Sequence, residues 1–169
     1  MSTVPQIALV GCGYWGKNLC RNFHALSSLS AVVDATENGQ ATACSLAPNA
    51  IISDNFDYIL GDDQIQGIAL ATPAETHADL AIQAMRSGKD VFVEKPMALS
   101  ISDAEAMQKV ADETGAILMV GHLLEYHPAI IKLRELIDSG ELGKINYVYS
   151  NRLNFGKVRT EENALWSFA

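Results

Sequence analysis

Ile7-Ala8-Leu9-Val10-Gly11-Cys12-Gly13-Tyr14-Trp15-Gly16 is the stretch whose reading decides the fold: a short apolar run of strand character enters a Gly-x-Gly-x-x-Gly turn. A strand ending in such a turn leads into a helix. Gly11 permits the tight turn, Gly13 lets an anion approach the backbone, and Gly16 lets helix and strand pack closely. Working outward, further β-rich apolar runs follow at Ala31–Asp34, Ala50–Ile52, Ile68–Ala71, Val91–Val93 and Ile117–Val120. Several are almost wholly apolar, as strands covered on both faces are. Between them Ala78, Ala81, Ile82 and Met85 repeat with helical period, as do Ala104, Met107 and Ala111. Ser102 with Glu105 predicts a capping box for the second of these helices. Strand, helix, strand in this order requires right-handed crossovers, hence an α/β doubly wound parallel sheet.

The chain has 169 residues, 49% apolar and 19% charged, the balance of a globular protein. No apolar run nears the roughly 20 residues of a membrane span, and the N-terminus lacks a basic, apolar leader, so a cytoplasmic location is expected. A net charge of -8 argues against nucleic-acid binding. Cys12, Cys20 and Cys44 have no spacing of a disulfide framework or zinc site, and reduced thiols are expected. Charge is nevertheless uneven: residues 144–159 hold Lys144, Arg152, Lys157 and Arg159 and no acidic residue.

The Gly-rich turn gains meaning from Asp34, which closes the second strand 18 residues after Gly16. A ribose-binding carboxylate is expected about 20 residues after such a turn. Together they predict a dinucleotide site. A carboxylate accepts from ribose hydroxyls and repels a 2′-phosphate, which favours NAD over NADP; a surface-turn aspartate is the plainer reading. Ala71-Thr72-Pro73-Ala74-Glu75-Thr76-His77 and Glu94-Lys95-Pro96 close the fourth and fifth strands, and ligands of open parallel sheets lie beyond such strand ends. Pro96 keeps Lys95 out of the helical region, at a strand tip where its ammonium can meet a substrate hydroxyl. On spacing alone Lys95 reads equally as a solvated lysine. Tyr14 and Trp15 read either as core aromatics or as residues lying against a ligand.

Gly-x-Gly-Tyr-Trp-Gly, Ala-Thr-Pro-Ala-Glu-Thr-His and Glu-Lys-Pro, in this order and over the whole chain, resemble the Gfo/Idh/MocA oxidoreductases. The resemblance implies an N-terminal Rossmann domain, here 1–121, and the start of a second α/β domain for substrate and oligomerisation, here 122–169 and incomplete. It implies NAD(P)-dependent chemistry at a hydroxyl-bearing carbon of a sugar or cyclitol. By the same resemblance Lys95 is the active-site lysine, touching substrate and cofactor. Gly11, Gly13, Tyr14, Trp15 and Gly16 wrap the pyrophosphate, while Thr72, Pro73, His77, Glu94 and Pro96 line the cofactor. His122 faces its crevice, and Trp166 reaches its nicotinamide side. Many relatives carry Arg where this chain has Glu125.

Within the family, Gly121-His122 through His127-Pro128 and Arg152 through Trp166 are most similar to nucleotide-sugar dehydrogenases acting on C3 of UDP-N-acetylglucosamine or its uronic acid, in bacterial surface-polysaccharide synthesis. A diphosphate partner suits Arg152, Lys157 or Arg159, and Arg152, Asn154 and Arg159 are the expected substrate contacts there; an ordinary solvated strand explains the same charges. Ile145–Leu153 reads as that strand, after a helix opened by Pro128 and ended near Gly140. The strand has no partner in sequence, so the chain is expected to be the front of a larger protein. The family's catalytic His falls beyond Ala169, so the expectation is binding without efficient turnover, and a homo-oligomer at full length. An inositol or free-sugar dehydrogenase and a non-catalytic NAD-binding module are the alternatives. His122, Glu125 and His127 lack the spacing of a metal site, and none is expected.

Overall fold

The computed structural model describes residues 4–151, and the chain divides into two compact units, one ending at Gly121 and the other beginning at His122. The first alternates strands and helices throughout. Its elements are β1 (Ile7–Val10), α1 (Gly16–Ala25), β2 (Leu29–Val33), α2 (Glu37–Leu46), β3 (Ile51–Ser53), α3 (Phe56–Leu60), β4 (Gly67–Leu70), α4 (His77–Arg86), β5 (Asp90–Val93), α5 (Ile101–Thr114) and β6 (Leu118–Val120). The sheet is wholly parallel in the order β3-β2-β1-β4-β5-β6. This is the doubly wound Rossmann order, whose direction reverses between β1 and β4.

Strand alternation sorts the core into two layers. Ala8, Val10, Ala31, Val33, Ile68, Leu70, Val91 and Val93 meet residues of α3, α4 and α5, including Ile59, Met85 and Met107. Leu9, Val32 and Ala69 point the other way, into α1 and α2 with Cys12, Cys20 and Ala43. Each fully buried large aliphatic side chain contributes roughly 1.5–3 kcal/mol, so the sheet is anchored on both faces. Cys12 and Cys20 are buried, Cys44 is exposed, and all three are free thiols. Contact with Cys20 and burial hold the Cys12 thiol protonated, well above the usual range. No helix among the described residues is long and apolar enough to cross a membrane.

Caps differ from expectation in one place. Helix α5 begins two residues earlier than the Ser102–Glu105 box requires: Ser100 is the N-cap, its Oγ accepting from Asp103 N at 3.1 Å. Ser100 and Asp103 satisfy the same Ser-x-x-acid pattern, and Ser102 is left to bond Ser100 Oγ at 2.9 Å. Elsewhere Thr36 and Asn55 cap α2 and α3.

The second unit, over its described part, holds a short 3₁₀ turn (Leu123–Tyr126) and α6 (Pro128–Asp138). Pro128 sits at the start of α6, where a missing N–H costs nothing. His127 is its N-cap, Nδ1 accepting from Ala129 N at 3.2 Å. The strand expected over Ile145–Leu153 does not form over 145–151. Tyr147, Val148 and Tyr149 are 80–85% exposed; among the described residues no neighbouring strand takes up their backbone groups, and β propensity by itself gives no strand.

Candidate functional site

Because the sheet reverses between β1 and β4, the segments leaving their carboxyl ends diverge and open a crevice. Gly11 follows β1 with φ of +89°, and a Cβ there would meet Ala71 O at 2.8 Å. A Cβ on Gly16 would overlap the Gly11 carbonyl oxygen and come within 2.9 Å of its carbon. The turn is thus wedged between α1 and the end of β4. At Gly13 the opposite holds: a Cβ would meet nothing within 4 Å. That opening, at the N-terminal approach to α1, fits a phosphate drawn to helix N–H groups. Tyr14 is exposed, with Lys17 Nζ 5.4 Å from its ring centroid.

Asp34 stands just beyond β2, 9% exposed. Its Oδ2 accepts from Cys12 N at 2.6 Å, and its Oδ1 accepts from Thr36 N at 2.8 Å and Thr36 Oγ at 2.7 Å. The carboxylate is therefore fastened to the Gly-rich turn. A carboxylate has about four acceptor positions, so Oδ2 retains capacity for a ribose hydroxyl. Burial works to raise the Asp34 pKa, but the bonds from Cys12 and Thr36 outweigh it and hold the group below its ordinary 3.8. A carboxylate with a depressed folded pKa stabilises the fold above about 3.8, and that contribution is lost as pH falls through the folded value. In urea unfolding at a series of pH values, wild type is expected to exceed Asp34→Asn by a constant margin near neutrality. The margin should shrink only below about 3.8; a margin unchanged into strong acid would refute the assignment.

Glu94, 7% exposed, connects the two sides of the crevice. Trp15 Nε1 donates to its Oε1 at 2.6 Å, and Lys95 N donates to Oε2 at 3.3 Å. The Gly-rich loop and the lysine-bearing loop after β5 thus share one carboxylate. Lys95 itself is half-buried, and Thr72 and Pro73 follow β4 at the same carboxyl end of the sheet.

His77 differs from its expected role. It is 1% exposed, with Nδ1 2.9 Å from Pro96 O and Nε2 3.0 Å from Thr72 O. Each ring nitrogen faces a protein carbonyl, and at 1% exposure the side chain does not line a cofactor surface. His122 is exposed in the second unit and precedes its 3₁₀ turn. Glu125 pairs there with Arg134 at 3.2 Å, both side chains largely in solvent, where such pairs contribute little. Among the described residues no three His, Cys, Asp or Glu side chains gather as a metal group. Arg152, Asn154, Arg159 and Trp166 lie outside the described residues.

Two participants escape sequence reading: Thr36 and Gly39. Thr36 shows in the sequence only as a Thr two places after an acid. Gly39 is buried in the first turn of α2, where a Cβ would overlap the Asp34 carboxylate.

The family described as an oxidoreductase family with an NAD-binding Rossmann fold matches residues 6–122. A 2,7-anhydro-N-acetylneuraminate hydratase of Mediterraneibacter gnavus is 34% identical over 154 residues, spanning 90% of this chain and 40% of that protein. A scyllo-inositol 2-dehydrogenase (NAD(+)) of Bacillus subtilis is 39% identical over 89 residues, 53% of this chain and 26% of that protein. The chain therefore spans under half the length of these curated relatives. Among solved structures, scyllo-inositol dehydrogenase from Lactobacillus casei with bound NAD(H) and scyllo-inositol aligns at TM-score 0.77 and 22% identity, over 83% of this chain and 43% of that one. At that identity the likeness establishes the fold. The relatives' names record an inositol and a sialic-acid derivative, not a UDP-sugar.

Proposed function

Because this chain belongs to the Gfo/Idh/MocA family of NAD-binding oxidoreductases, we propose that it is the cofactor-binding part of an enzyme that oxidises a hydroxyl-bearing carbon of a cyclic polyol or sugar. The observation that carries the reading is the juxtaposition of Asp34, the Gly11–Gly16 turn and the Glu94–Lys95 strand tip at the carboxyl end of the sheet. NAD, when bound, supplies a ring that accepts hydride. The protein's part is to hold it. Helix α1 and the turn hold the pyrophosphate, Asp34 holds the adenosine ribose and excludes a 2′-phosphate, and Lys95 hydrogen-bonds the reacting hydroxyl.

A nucleotide sugar is the second reading, favoured by the run 144–159 with four basic and no acidic residues. Its diphosphate matches those cations. Isothermal titration of the 169-residue chain checks both levels. Binding of NADH with NADPH at least tenfold weaker, about 1.4 kcal/mol, is expected; no NADH binding ends the reading. Added to the NADH complex, a UDP-sugar that binds while myo-inositol does not selects the second reading over the first.

A further inference from the structure

We propose that His77 is the positioning residue of the lysine loop, its imidazole fixing the Pro96 carbonyl and through it the stance of Lys95. This rests on Lys95 serving the reaction proposed above. His77 opens α4, the helix that follows β4, yet its ring reaches across to the loop that follows β5. The ring thereby lies between two strand-end segments, Nε2 3.0 Å from the Thr72 carbonyl and Nδ1 2.9 Å from the Pro96 carbonyl, and a neutral ring donates to only one of them. Thr76 reinforces the first segment, its Oγ 2.7 Å from Thr72 Oγ and 2.8 Å from Pro73 O.

A carbonyl oxygen only accepts, so each contact is a hydrogen bond only when the facing ring nitrogen carries a proton. The Pro96 bond therefore requires a protonated Nδ1. At 1% exposure, water cannot replace a lost partner, and an unsatisfied buried polar group is costly. The loop holding Lys95 is thus constrained on both sides. Glu94 accepts from the Lys95 amide before it, and His77 holds the carbonyl of Pro96 after it.

Two amide substitutions separate the two contacts. The Asn side-chain nitrogen falls near the place of Nδ1, and that of Gln near Nε2. His77→Asn keeps a donor for Pro96, whereas His77→Gln keeps one for Thr72. In amide NMR of the 169-residue chain titrated with NAD+, the shift of the Lys95 amide on binding is expected in wild type and His77→Asn, and lost in His77→Gln. A merely structural histidine would give both variants the same response, and that result overturns the proposal. In wild type, long-range proton–nitrogen spectra are expected to show a proton on Nδ1 of His77. An unprotonated Nδ1 overturns the proposal even if His77→Gln fails to fold. Wild type that binds no NAD+ defeats the functional reading instead, leaving the ring protonation and the free-state Lys95 shifts of the two variants to test the clamp.

Discussion

Gly16→Ala is expected to destabilise the chain by about 3 kcal/mol, the upper part of the range for overpacking, and to abolish dinucleotide binding. The added methyl overlaps the Gly11 carbonyl oxygen, which is backbone and cannot rotate aside, and comes within 3.3 Å of Ala71 Cβ. Relief requires α1 to move away from β1, which opens the turn that would receive the pyrophosphate. At roughly 3 °C per kcal/mol for a domain of this size, the thermal midpoint falls by about 10 °C. Gly13→Ala is the matched comparison, because its Cβ meets nothing within 4 Å. It should melt within about 0.5 kcal/mol of wild type while binding NADH less well. Equal melting of Gly16→Ala and wild type would refute the packing argument.

Asp34→Ser is expected to weaken NADH binding by about ten- to a hundredfold while leaving NADPH binding equal or improved. The estimate follows from losing one hydrogen bond to a charged group, about 1.5–3 kcal/mol. Serine is too short to span from the end of β2 to both the Cys12 amide and a ribose. The Gly-rich turn therefore loses its tie as well. The decisive quantity is the ratio of the two dissociation constants, measured by titration on the same sample. A general loosening of the fold lowers both affinities together; removal of a 2′-phosphate repulsion changes their ratio. An unchanged ratio would show that Asp34 does not choose the cofactor.

All six strands of the sheet were legible within about two residues, because a strand buried on both faces must be a short, nearly unbroken apolar run. Helix α2 was not, for a reason visible in its contacts. Its buried face consists of Gly39 and Ala43, small residues that leave no apolar period, and Gly39 is small because Asp34 occupies its space. Helix α3 has five residues, too few for periodicity to register. At α5, Ser100-x-x-Asp103 and Ser102-x-x-Glu105 compete for one cap, and pattern alone does not choose.

For the site, the Gly-rich turn, Asp34 and the Glu94–Lys95 tip carried spacing that sequence can express. The roles of His77 and Glu94 depend on loops that are distant in sequence. A histidine beside a strand end looks the same whether its ring faces a crevice or two buried carbonyls. The unmet strand at 145–151 is the converse case, local preference with no neighbour among the described residues to realise it.

The sheet order has a kinetic meaning. Every lateral pairing except one joins strands that follow one another along the chain. The exception, β1 with β4, brings Ile7 beside Gly67 and closes a loop more than twice as long as that between β1 and β2. Loop-closure entropy grows with such length, so this seam between two three-stranded halves carries the largest closure cost of the sheet's pairings. A dinucleotide seated on the turn after β1 and the tips of β4 and β5 straddles that line. At a hundred times its dissociation constant it would add about 2.7 kcal/mol to the native state, acting as a rivet across the join rather than as weight spread over the whole sheet.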